Sequence, residues 1–416
     1  MYVRRHTYGG NFVMKKNKLI SLALVAAMAV SIMSACGQEG DTQPSSGGGF
    51  DSQPIVSVDD NQGQTSTDPE TQVGESFEVP ADCYLSELTG LPIRKELKDQ
   101  RPIAVMVDNE KTALPHYEIG ECDIVYELMN STANDRVTRL MCVRKDWRNI
   151  KQMGSIRSTR PTNIPLAGEY NAILVHDGGP VYITDFIAKP YCDHLSSGFC
   201  RFDNGKNWEY KEYVTAEDTQ GINMSGGAQT YDGLIDRIDQ AGISPTYNSY
   251  APVRDNHFIF RPYGTDMTLT EMGYSNATSA TNIQMPTFKH TQTQLRYNES
   301  TGTYDYYLYG ELQKDAEDDQ VVTFENVILQ CTDFYVFDDH GYLLYFYYDQ
   351  AANKQGYYIT NGQAIKITWD KPVTNEKLDY DITRYYDENG DEIEINPGKT
   401  YICLVPKDGW STVTLN

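Results

Sequence analysis

The residues of this sequence that are best suited to chemistry are three arginines near the middle of the chain. Arg157 and Arg160 lie three residues apart in GSIRSTRP, just before a helix-like segment, and Arg139 lies in the preceding apolar run. A guanidinium group holds a carboxylate or phosphate through paired hydrogen bonds, and free N–H groups at a helix start add donors for the same anion. This spacing predicts a binding site for a small anion.

Two glycines, Gly178 and Gly179, follow the next apolar run. Glycine lets a ligand approach the backbone closely, and α/β sheets usually bind ligands in the crevice at their strand ends. The alternative is that the arginines pair with internal acids and join the ends of the sheet, the candidates being Asp108, Asp123 and Glu127. The sequence leaves both interpretations open.

His176 and Asp177, at the end of that run, are the candidates for catalysis. They could serve as a base and its orienting carboxylate in a hydrolysis, with Asp108 or Glu127 as a second carboxylate. The chain contains no G-x-S-x-G nucleophile elbow, no HExxH pair and no P-loop. We therefore favour a binding protein over an enzyme and assign no catalytic residue.

Metal sites and cofactors are not predicted. Cys192-Asp193-His194 with Cys200 lacks the paired spacings of zinc sites, and a Cys192–Cys200 disulfide or two free thiols explains it better. Residues 387–391 lack the glycine and the final glutamate of a calcium loop, so a hairpin turn is the simpler interpretation. Disulfide pairing is undetermined among seven cysteines: Cys83, Cys122, Cys142, Cys192, Cys200, Cys331 and Cys403.

The elements that must position these residues follow from apolar periodicity. Strands are predicted at 103–107, 124–128, 137–143 and 172–175. A helix at 162–170 between the last two suggests a βαβ-like unit, and a second helix is predicted at 231–241. Beyond residue 286, Tyr-rich alternating runs separated by Asn361-Gly362 and Asn389-Gly390 predict antiparallel hairpins. The tyrosines at 304–309 and 342–348 are better explained by sheet packing than by a carbohydrate-stacking face.

The predicted fold is therefore an α/β domain with a mixed sheet, followed by a mainly β, antiparallel C-terminal domain. We place the α/β domain at 81–245, a connecting segment at 246–285 and the β-rich domain at 286–416.

The N-terminal region has the pattern of a bacterial lipoprotein. Residues 1–13 fit no signal, whereas residues 14–35 combine three lysines with an apolar run, and Ser34-Ala35-Cys36 resembles a lipobox. Cys36 is the predicted lipidation site, with a plain secretory cleavage near Ala35 as the alternative. Residues 36–80 then form the lipidated cysteine and a disordered acidic tether. This places the protein on the outer face of the bacterial plasma membrane.

The net charge of the chain limits its partners. It is -23, and without residues 1–35 the chain has 30 basic against 58 acidic residues, or -28. Such a field disfavours nucleic acid and anionic lipid surfaces. Any anionic ligand must therefore be small and locally recognised.

Four segments of the predicted α/β domain share a recognisable order and spacing: LTGLP (88–92), RPIAVMVDN (101–109), GSIRSTRP (154–161) and NAILVHDGG (171–179). They resemble the N-terminal domain of the YerB-like bacterial lipoproteins, and residues 383–406 resemble the C-terminal domain of that family. The resemblance implies a two-domain lipoprotein of unknown function. The chain departs from the family at 198–230, where a basic loop is usual. We expect a membrane-anchored accessory module that binds a small anion, with a cell-wall component or envelope protein as partner. The alternatives are a cell-wall-directed hydrolase and a protein-interaction scaffold.

Overall fold

The computed structural model describes residues 77–251, 257–336, 344–347, 354–371 and 382–416. The predicted signal peptide, Cys36 and most of the tether lie outside these residues. The chain is mostly sheet, with only 11% in helices, so the helical content is lower than an α/β domain implies. None of the helices in the described part of the chain is long and apolar enough to cross a membrane.

The strands before residue 240 come largely from the predicted α/β region. They are β1 (Cys83–Leu85), β2 (Pro92–Arg94), β3 (Ile103–Asp108), β4 (Ile124–Met129), β5 (Thr138–Arg144), β6 (Met153–Gly154), β7 (Ile173–His176), β8 (His194–Ser196), β9 (Cys200–Arg201), β10 (Glu212–Val214), β11 (Thr219–Ile222) and β12 (Ala228–Tyr231).

The later strands are more numerous. They are β13 (Ile259–Phe260), β14 (Thr278–Ser279), β15 (Asn282–Gln284), β16 (Gln294–Asn298), β17 (Thr303–Leu308), β18 (Glu311–Leu312), β19 (Thr323–Phe324), β20 (Asn326–Val336), β21 (Leu344–Tyr347), β22 (Gln355–Thr360), β23 (Gln363–Asp370), β24 (Arg384–Tyr386), β25 (Glu394–Ile395), β26 (Thr400–Pro406) and β27 (Thr414–Leu415).

The helices are short. The α-helices are α1 (Asn163–Glu169), α2 (Thr184–Ile187), α3 (Leu234–Gln240) and α4 (Lys407–Trp410). The predicted helices at 162–170 and 231–241 correspond to α1 and α3.

A 12-stranded mixed sheet forms the centre of the molecule, with the main order β14-β23-β22-β20-β26-β4-β5-β3-β7-β8. Every residue of β3, β4 and β26 is buried, which explains their continuous apolar sequences. β3 pairs antiparallel with β5 and parallel with β7. β5 and β7 therefore run in opposite directions on either side of β3, so the predicted βαβ-like unit does not form.

Strands from both predicted regions share this sheet. β26 pairs in parallel with β4 on one side and with β20 on the other. The antiparallel prediction for the C-terminal region holds for hairpins such as β22–β23, where Thr360 opposes Gln363, but not for β20 and β26. The chain between β20 and β26 is long enough to return in the same direction, as a parallel pair requires. All described residues belong to one compact unit.

A buried carboxylate links the central sheet to a second sheet of six strands. Glu127 on β4 is fully buried and accepts hydrogen bonds from Tyr401 at 2.6 Å and Tyr306 at 3.0 Å. Its other oxygen accepts from Thr138, Thr293 and Asn109. Tyr304 and Tyr306 are fully buried, so these tyrosines of the 304–309 run pack in the core.

Candidate functional site

The predicted site residues meet at one edge of the central sheet. β3 ends at Asp108, β5 begins beside it with Arg139 opposite Asp108, and β7 ends at His176. Because β3 and β7 are parallel, their carboxyl ends face the same crevice. Two loops, 155–161 and 177–180, lie over this edge. They are joined by hydrogen bonds from Thr159 N to Gly178 O (3.2 Å) and from Asp177 N to Arg157 O (3.0 Å).

Arg157 is paired inside the protein. Its Nε donates to the buried Asp108 carboxylate, and its Nη1 lies 3.2 Å from Glu209 Oε2. The guanidinium carbon lies 4.6 Å from the centre of the Tyr210 ring. Burial opposes the charged form, yet the two carboxylates raise the pKa of Arg157 above its usual value. The internal pairing that the sequence left open is therefore what the structure shows for this arginine.

Arg139 and Arg160 are held differently, by backbone carbonyls alone. Arg139 Nη1 donates to Ser158 O at 2.7 Å, and Arg160 Nη1 donates to Thr159 O at 2.8 Å. No Asp or Glu among the described residues lies within ion-pair distance of either guanidinium. These two cations therefore lack a compensating charge in direct contact.

The pKa values of Arg139 and Arg160 are lowered because both guanidinium groups are partly desolvated and lack a carboxylate partner. Burial lowers the pKa of Arg139 to about 10, and Asp108 only partly offsets it. Burial followed by repulsion from Arg139 lowers the pKa of Arg160 to about 9. Both side chains remain charged at neutral pH. An anion bound next to them would therefore lower the electrostatic free energy of the folded state.

Around Arg139 and Arg160, the hydrogen-bond donors of the side chains outnumber the acceptors that they contact. Nη2 of Arg139 and Nη2 of Arg160 have no hydrogen-bond partner among the described residues and are not enclosed, so they face solvent. Arg160 Nε and Asn163 Nδ2 are enclosed and also lack a partner. Asn163 is 1% exposed, and its Oδ1 accepts from Arg160 N at 2.9 Å. The segment thus has surplus N–H groups without matching acceptors.

The roles of the α1 N-terminus, Gly178 and Gly179 differ from those that the sequence predicts for the anion site. α1 has seven residues and no side-chain cap, so we assign its N-terminus no part in the site. Gly178 adopts a φ of +69°, which favours glycine. A Cβ on Gly179 would lie 2.2 Å from Ile183 Cδ1, so packing of the loop, rather than the approach of a ligand, accounts for that glycine.

His176 is not placed as a general base. It is 1% exposed, and its Nδ1 lies 2.7 Å from Gly178 O. A carbonyl only accepts, so Nδ1 carries the proton and Nε2 accepts from His194 Nδ1 at 3.1 Å. Burial lowers the pKa of His176 to about 4, which keeps the ring neutral. Asp177 lies near Arg201, and Asp108 binds Arg157. Neither carboxylate is therefore in the position of an orienting partner for His176.

Residues of β8, β9 and β10 also reach this edge, and sequence reasoning missed them. Glu212 is almost fully buried, accepts from Phe199 N at 3.1 Å and pairs with Arg201 Nη2 at 2.5 Å. Burial, followed by its hydrogen bond with Asp177, raises the pKa of Glu212 to about 7. Glu212 stands in KEYV, which looks like an ordinary half-exposed strand, so no local signal marked it.

The rejected metal candidates are accounted for by other contacts. Cys192 and Cys200 are both free thiols, so the disulfide interpretation is wrong and the free-thiol alternative stands. Asp193 pairs with Arg101 at 2.6 Å. Asp387 accepts from Asn389 N (2.8 Å) and Asp391 N (3.0 Å), which is the geometry of a turn. Within the described ranges no group of three His, Cys, Asp or Glu side chains could hold a metal ion.

Two cavities lie away from this edge. One of about 370 Å³ is lined by residues 148–151 and 216–219, and the other, of about 140 Å³, by residues 273–276, 365–366 and 387–389. Neither is lined by the predicted arginines or His176.

Comparison with known proteins gives two domain matches. Residues 88–229 match the family described as "Protein of unknown function (DUF3048) N-terminal domain", and residues 283–402 match the corresponding C-terminal domain. The chain is 21% identical over 328 residues to "Putative lipoprotein YerB" of Bacillus subtilis (strain 168), which covers 77% of this chain and 85% of that protein.

A solved structure shares the fold. The crystal structure of the YerB protein from Bacillus subtilis matches with a TM-score of 0.60 and 17% identity, covering 80% of this chain and 99% of that one. At this identity the match is evidence for the fold alone.

Proposed function

This chain belongs to the YerB-like family, whose two DUF3048 domains have no known function, and we propose that it is a binding module of the cell envelope. In this proposal Arg139 and Arg160 hold a small carboxylate or phosphate group. The module is anchored through Cys36 on the outer face of the bacterial plasma membrane, and its partner is a cell-wall component or an envelope protein.

The observation that carries the proposal is the unpaired state of these two guanidinium groups. In a chain with a net charge of -23, acids are plentiful, yet no described acid contacts Arg139 or Arg160. Both have outward Nη2 groups, and both have a lowered pKa. A half-buried cation without a charged partner is destabilising for the folded state, and a ligand that supplies the missing charge would offset this cost.

The same geometry defines the ligand class. Two adjacent guanidinium groups offer N–H donors that match the oxygen spacing of carboxylate and phosphate. The acidic surface of the chain works against large polyanions, so the recognised group is a small one. Gly178 and Arg157 serve this site indirectly in our proposal, because they shape the loops that hold Arg139 and Arg160.

The anchor rests on the lipobox-like Cys36 and on the lipoprotein name of the Bacillus relative. The tether that the sequence predicts for residues 36–80 would have a root-mean-square reach of roughly 35–40 Å. That reach would let the folded unit sample ligands in the layer above the membrane. Of the two alternatives, the hydrolase is disfavoured because His176 is neutral and has both ring nitrogens engaged.

The test uses the chain from residue 37 onward, which lacks the lipidated Cys36, with sulfate, phosphate and acetate as probes. We expect sulfate and phosphate to bind in isothermal titration calorimetry and to raise the melting temperature, since a ligand of the folded state stabilises it. Arg139→Gln and Arg160→Gln should each weaken binding about tenfold or more.

Arg94→Gln is the matched control, because Arg94 is an exposed arginine on β2 that pairs at the surface. Equal affinity in all four proteins, or no binding of any probe, would remove the site assignment. Loss of binding in the two site variants with retention in Arg94→Gln supports it.

A further inference from the structure

The larger cavity lies between two segments that the sheet brings together. β6 pairs antiparallel with β10, so the chain that enters β6 and the chain that leaves β10 lie at the same end of this pair. A hydrogen bond from Ala216 N to Ile150 O (2.8 Å) joins the two segments. The cavity has a volume of about 370 Å³ and is lined by segment 148–151 and segment 216–219. This volume suits a small-molecule ligand.

The two segments carry charges of opposite sign. Segment 148–151 contributes Arg148 and Lys151, whereas segment 216–219 contributes Glu217 and Asp218. All four of these residues are exposed. No ion pair crosses the cavity within the part of the chain that the structure describes. The cavity therefore keeps the two signs of charge apart, with space for a ligand between them.

Arg148 is held in place by contacts with buried residues. Its Nε donates to Gln100 Oε1 at 2.8 Å, and its guanidinium carbon lies 4.9 Å from the centre of the buried Trp147 ring. The backbone nearby is fixed by the buried Glu118 carboxylate, which accepts from Lys151 N at 2.7 Å. Nη1 and Nη2 of Arg148 have no partner among the described residues. Arg148 therefore offers a positioned pair of N–H donors to a carboxylate.

Segment 216–219 is fixed by the residue that precedes α3. Gly233 N donates to Asp218 Oδ1 at 2.9 Å. Asp218 Oδ2 and both carboxylate oxygens of Glu217 have no partner among the described residues. Three carboxylate oxygens are therefore available to a cationic group.

The charge balance of the cavity defines the ligand class. Lys151 Nζ pairs at 2.6 Å with Glu317, an acid that does not line the cavity. Arg148 then supplies one unmatched positive charge, whereas Glu217 and Asp218 supply two unmatched negative charges. A complementary ligand carries a carboxylate for the first side and an excess of positive charge for the second. An α-amino acid with a basic side chain has one carboxylate and two cationic groups, and it meets both requirements.

We propose that this cavity binds a basic α-amino acid, with its carboxylate on Arg148 and its cationic groups facing Glu217 and Asp218. The net charge of -23 favours such a ligand, because an acidic protein attracts a molecule with net positive charge. The site is separate from the anion site of Arg139 and Arg160, and the inference does not rest on the proposed function.

The experiment is a calorimetric titration of the chain from residue 37 onward with three probes at pH 7. L-Lysine carries both kinds of charge, whereas n-butylamine has only the ammonium group and butanoate only the carboxylate. We expect L-lysine to bind at least about tenfold more tightly than either single-charge probe, because it alone contacts both sides of the cavity.

Three variants identify which end of the ligand each residue holds. Arg148→Gln should weaken L-lysine binding about tenfold and leave n-butylamine binding unchanged. Glu217→Gln and Asp218→Asn should each weaken the binding of both L-lysine and n-butylamine about three- to tenfold. Asp218→Asn retains a side-chain oxygen that accepts from Gly233 N, so it removes the charge without removing this hydrogen bond.

Arg296→Gln is the matched control for the arginine variant. Arg296 is also exposed, donates to Gln294 at 2.9 Å and lies 4.1 Å from the centre of the Tyr307 ring. Glu299→Gln is the control for the carboxylate variants, because Glu299 is exposed and has no ion pair among the described residues. Both controls should bind L-lysine as the wild type does. Melting temperatures close to that of the wild type show that all five variants fold.

The results separate this site from the anion site. Weaker L-lysine binding in the three cavity variants, with wild-type affinity in the two controls, supports the inference. Absence of L-lysine binding, an affinity no higher than that of n-butylamine, or equal affinity in Arg148→Gln and Arg296→Gln overturns it. Sulfate binding, measured in the same proteins, reports on Arg139 and Arg160, so failure of either site is detected independently of the other.

Discussion

Asp108 and Arg139 lie directly opposite each other on the neighbouring strands β3 and β5, yet the Asp108 carboxylate binds Arg157 instead. Arg157 comes from the loop that covers the strand ends, and it reaches Asp108 through Nε. This choice leaves Arg139 with only a backbone carbonyl as its partner. The strand register places the Asp108 carboxylate next to Arg139, but Arg157 from the covering loop binds it. Arg139 is therefore left without a carboxylate partner, which is the basis of the candidate anion site.

Removal of that carboxylate should destabilise the protein. In Asp108→Asn the partly buried Arg157 loses its main counter-charge, and we expect a loss of about 2–4 kcal/mol in the free energy of unfolding. Urea unfolding at pH 7 measures it. Asp319→Asn is the control, because Asp319 is 83% exposed in its pair with Lys314 and should cost less than about 0.5 kcal/mol. Equal costs would show that the Asp108 pair is not a buried support of the loop.

Two buried tyrosines test the strength of the hydrogen bonds that Glu127 accepts. Tyr401 donates to the Glu127 carboxylate at 2.6 Å, whereas Tyr304 donates to the neutral carbonyl of Ala280 at 3.0 Å, and both rings are fully buried. Tyr401→Phe should cost about 1.5–3 kcal/mol and Tyr304→Phe about 0.5–1.5 kcal/mol. Chemical denaturation of the wild type and both variants measures these losses in the free energy of unfolding. A loss in Tyr401→Phe no larger than that in Tyr304→Phe would show that the Glu127 carboxylate does not strengthen this hydrogen bond.

Acid stability should depend on Glu169. Burial opposes its ionisation, but Lys371 and His257 together hold its pKa at about 2. A carboxyl whose pKa is lowered by folding stabilises the protein above its unfolded pKa, near 4.5, and that stability is lost as the pH falls toward 2. The amount is on the order of 3 kcal/mol.

The Glu169→Gln variant should therefore be less stable at pH 7 and should show a flatter decline between pH 4.5 and 2. Denaturant unfolding across this range provides the measurement. A wild-type decline that persists unchanged in the variant would assign acid sensitivity to other carboxylates.

Loop packing at Gly179 provides a test by double substitution. An added Cβ would lie 2.2 Å from Ile183 Cδ1 and 3.3 Å from Thr159 O, so Gly179→Ala should cost about 1–2 kcal/mol. Ile183→Val removes the Cδ1 atom and should recover part of that cost in the double variant. Thermal unfolding of the four proteins gives the interaction energy. Strict additivity would mean that these two residues do not contact each other in solution.

The sequence anticipated the core strands well, since continuous apolar runs at 103–107 and 124–128 become the fully buried β3 and β4. Hairpin turns such as Asn361-Gly362 were also visible, because their backbone geometry demands those residues. Both signals depend only on residues that are neighbours in the sequence, so they can be recognised without knowledge of the tertiary structure.

Long-range pairing was not visible in the same way. Nothing in the β26 sequence shows that it pairs with β4, because any buried strand of similar length fits a parallel neighbour. The position of the candidate residues at the strand ends was predictable, but the partner of each arginine was not. Asp108 could have paired with Arg139 or Arg157, and only the path of the covering loop decides between them.

The central place of β26 has a consequence for biosynthesis. The middle of the large sheet is completed by β26, which is synthesised after every other strand of that sheet. Until then β4 and β20 each present an open apolar edge, which is the kind of surface that attracts other unpaired strands. A chain interrupted before this segment would therefore be expected to aggregate or be degraded, even though it contains every residue of the candidate anion site.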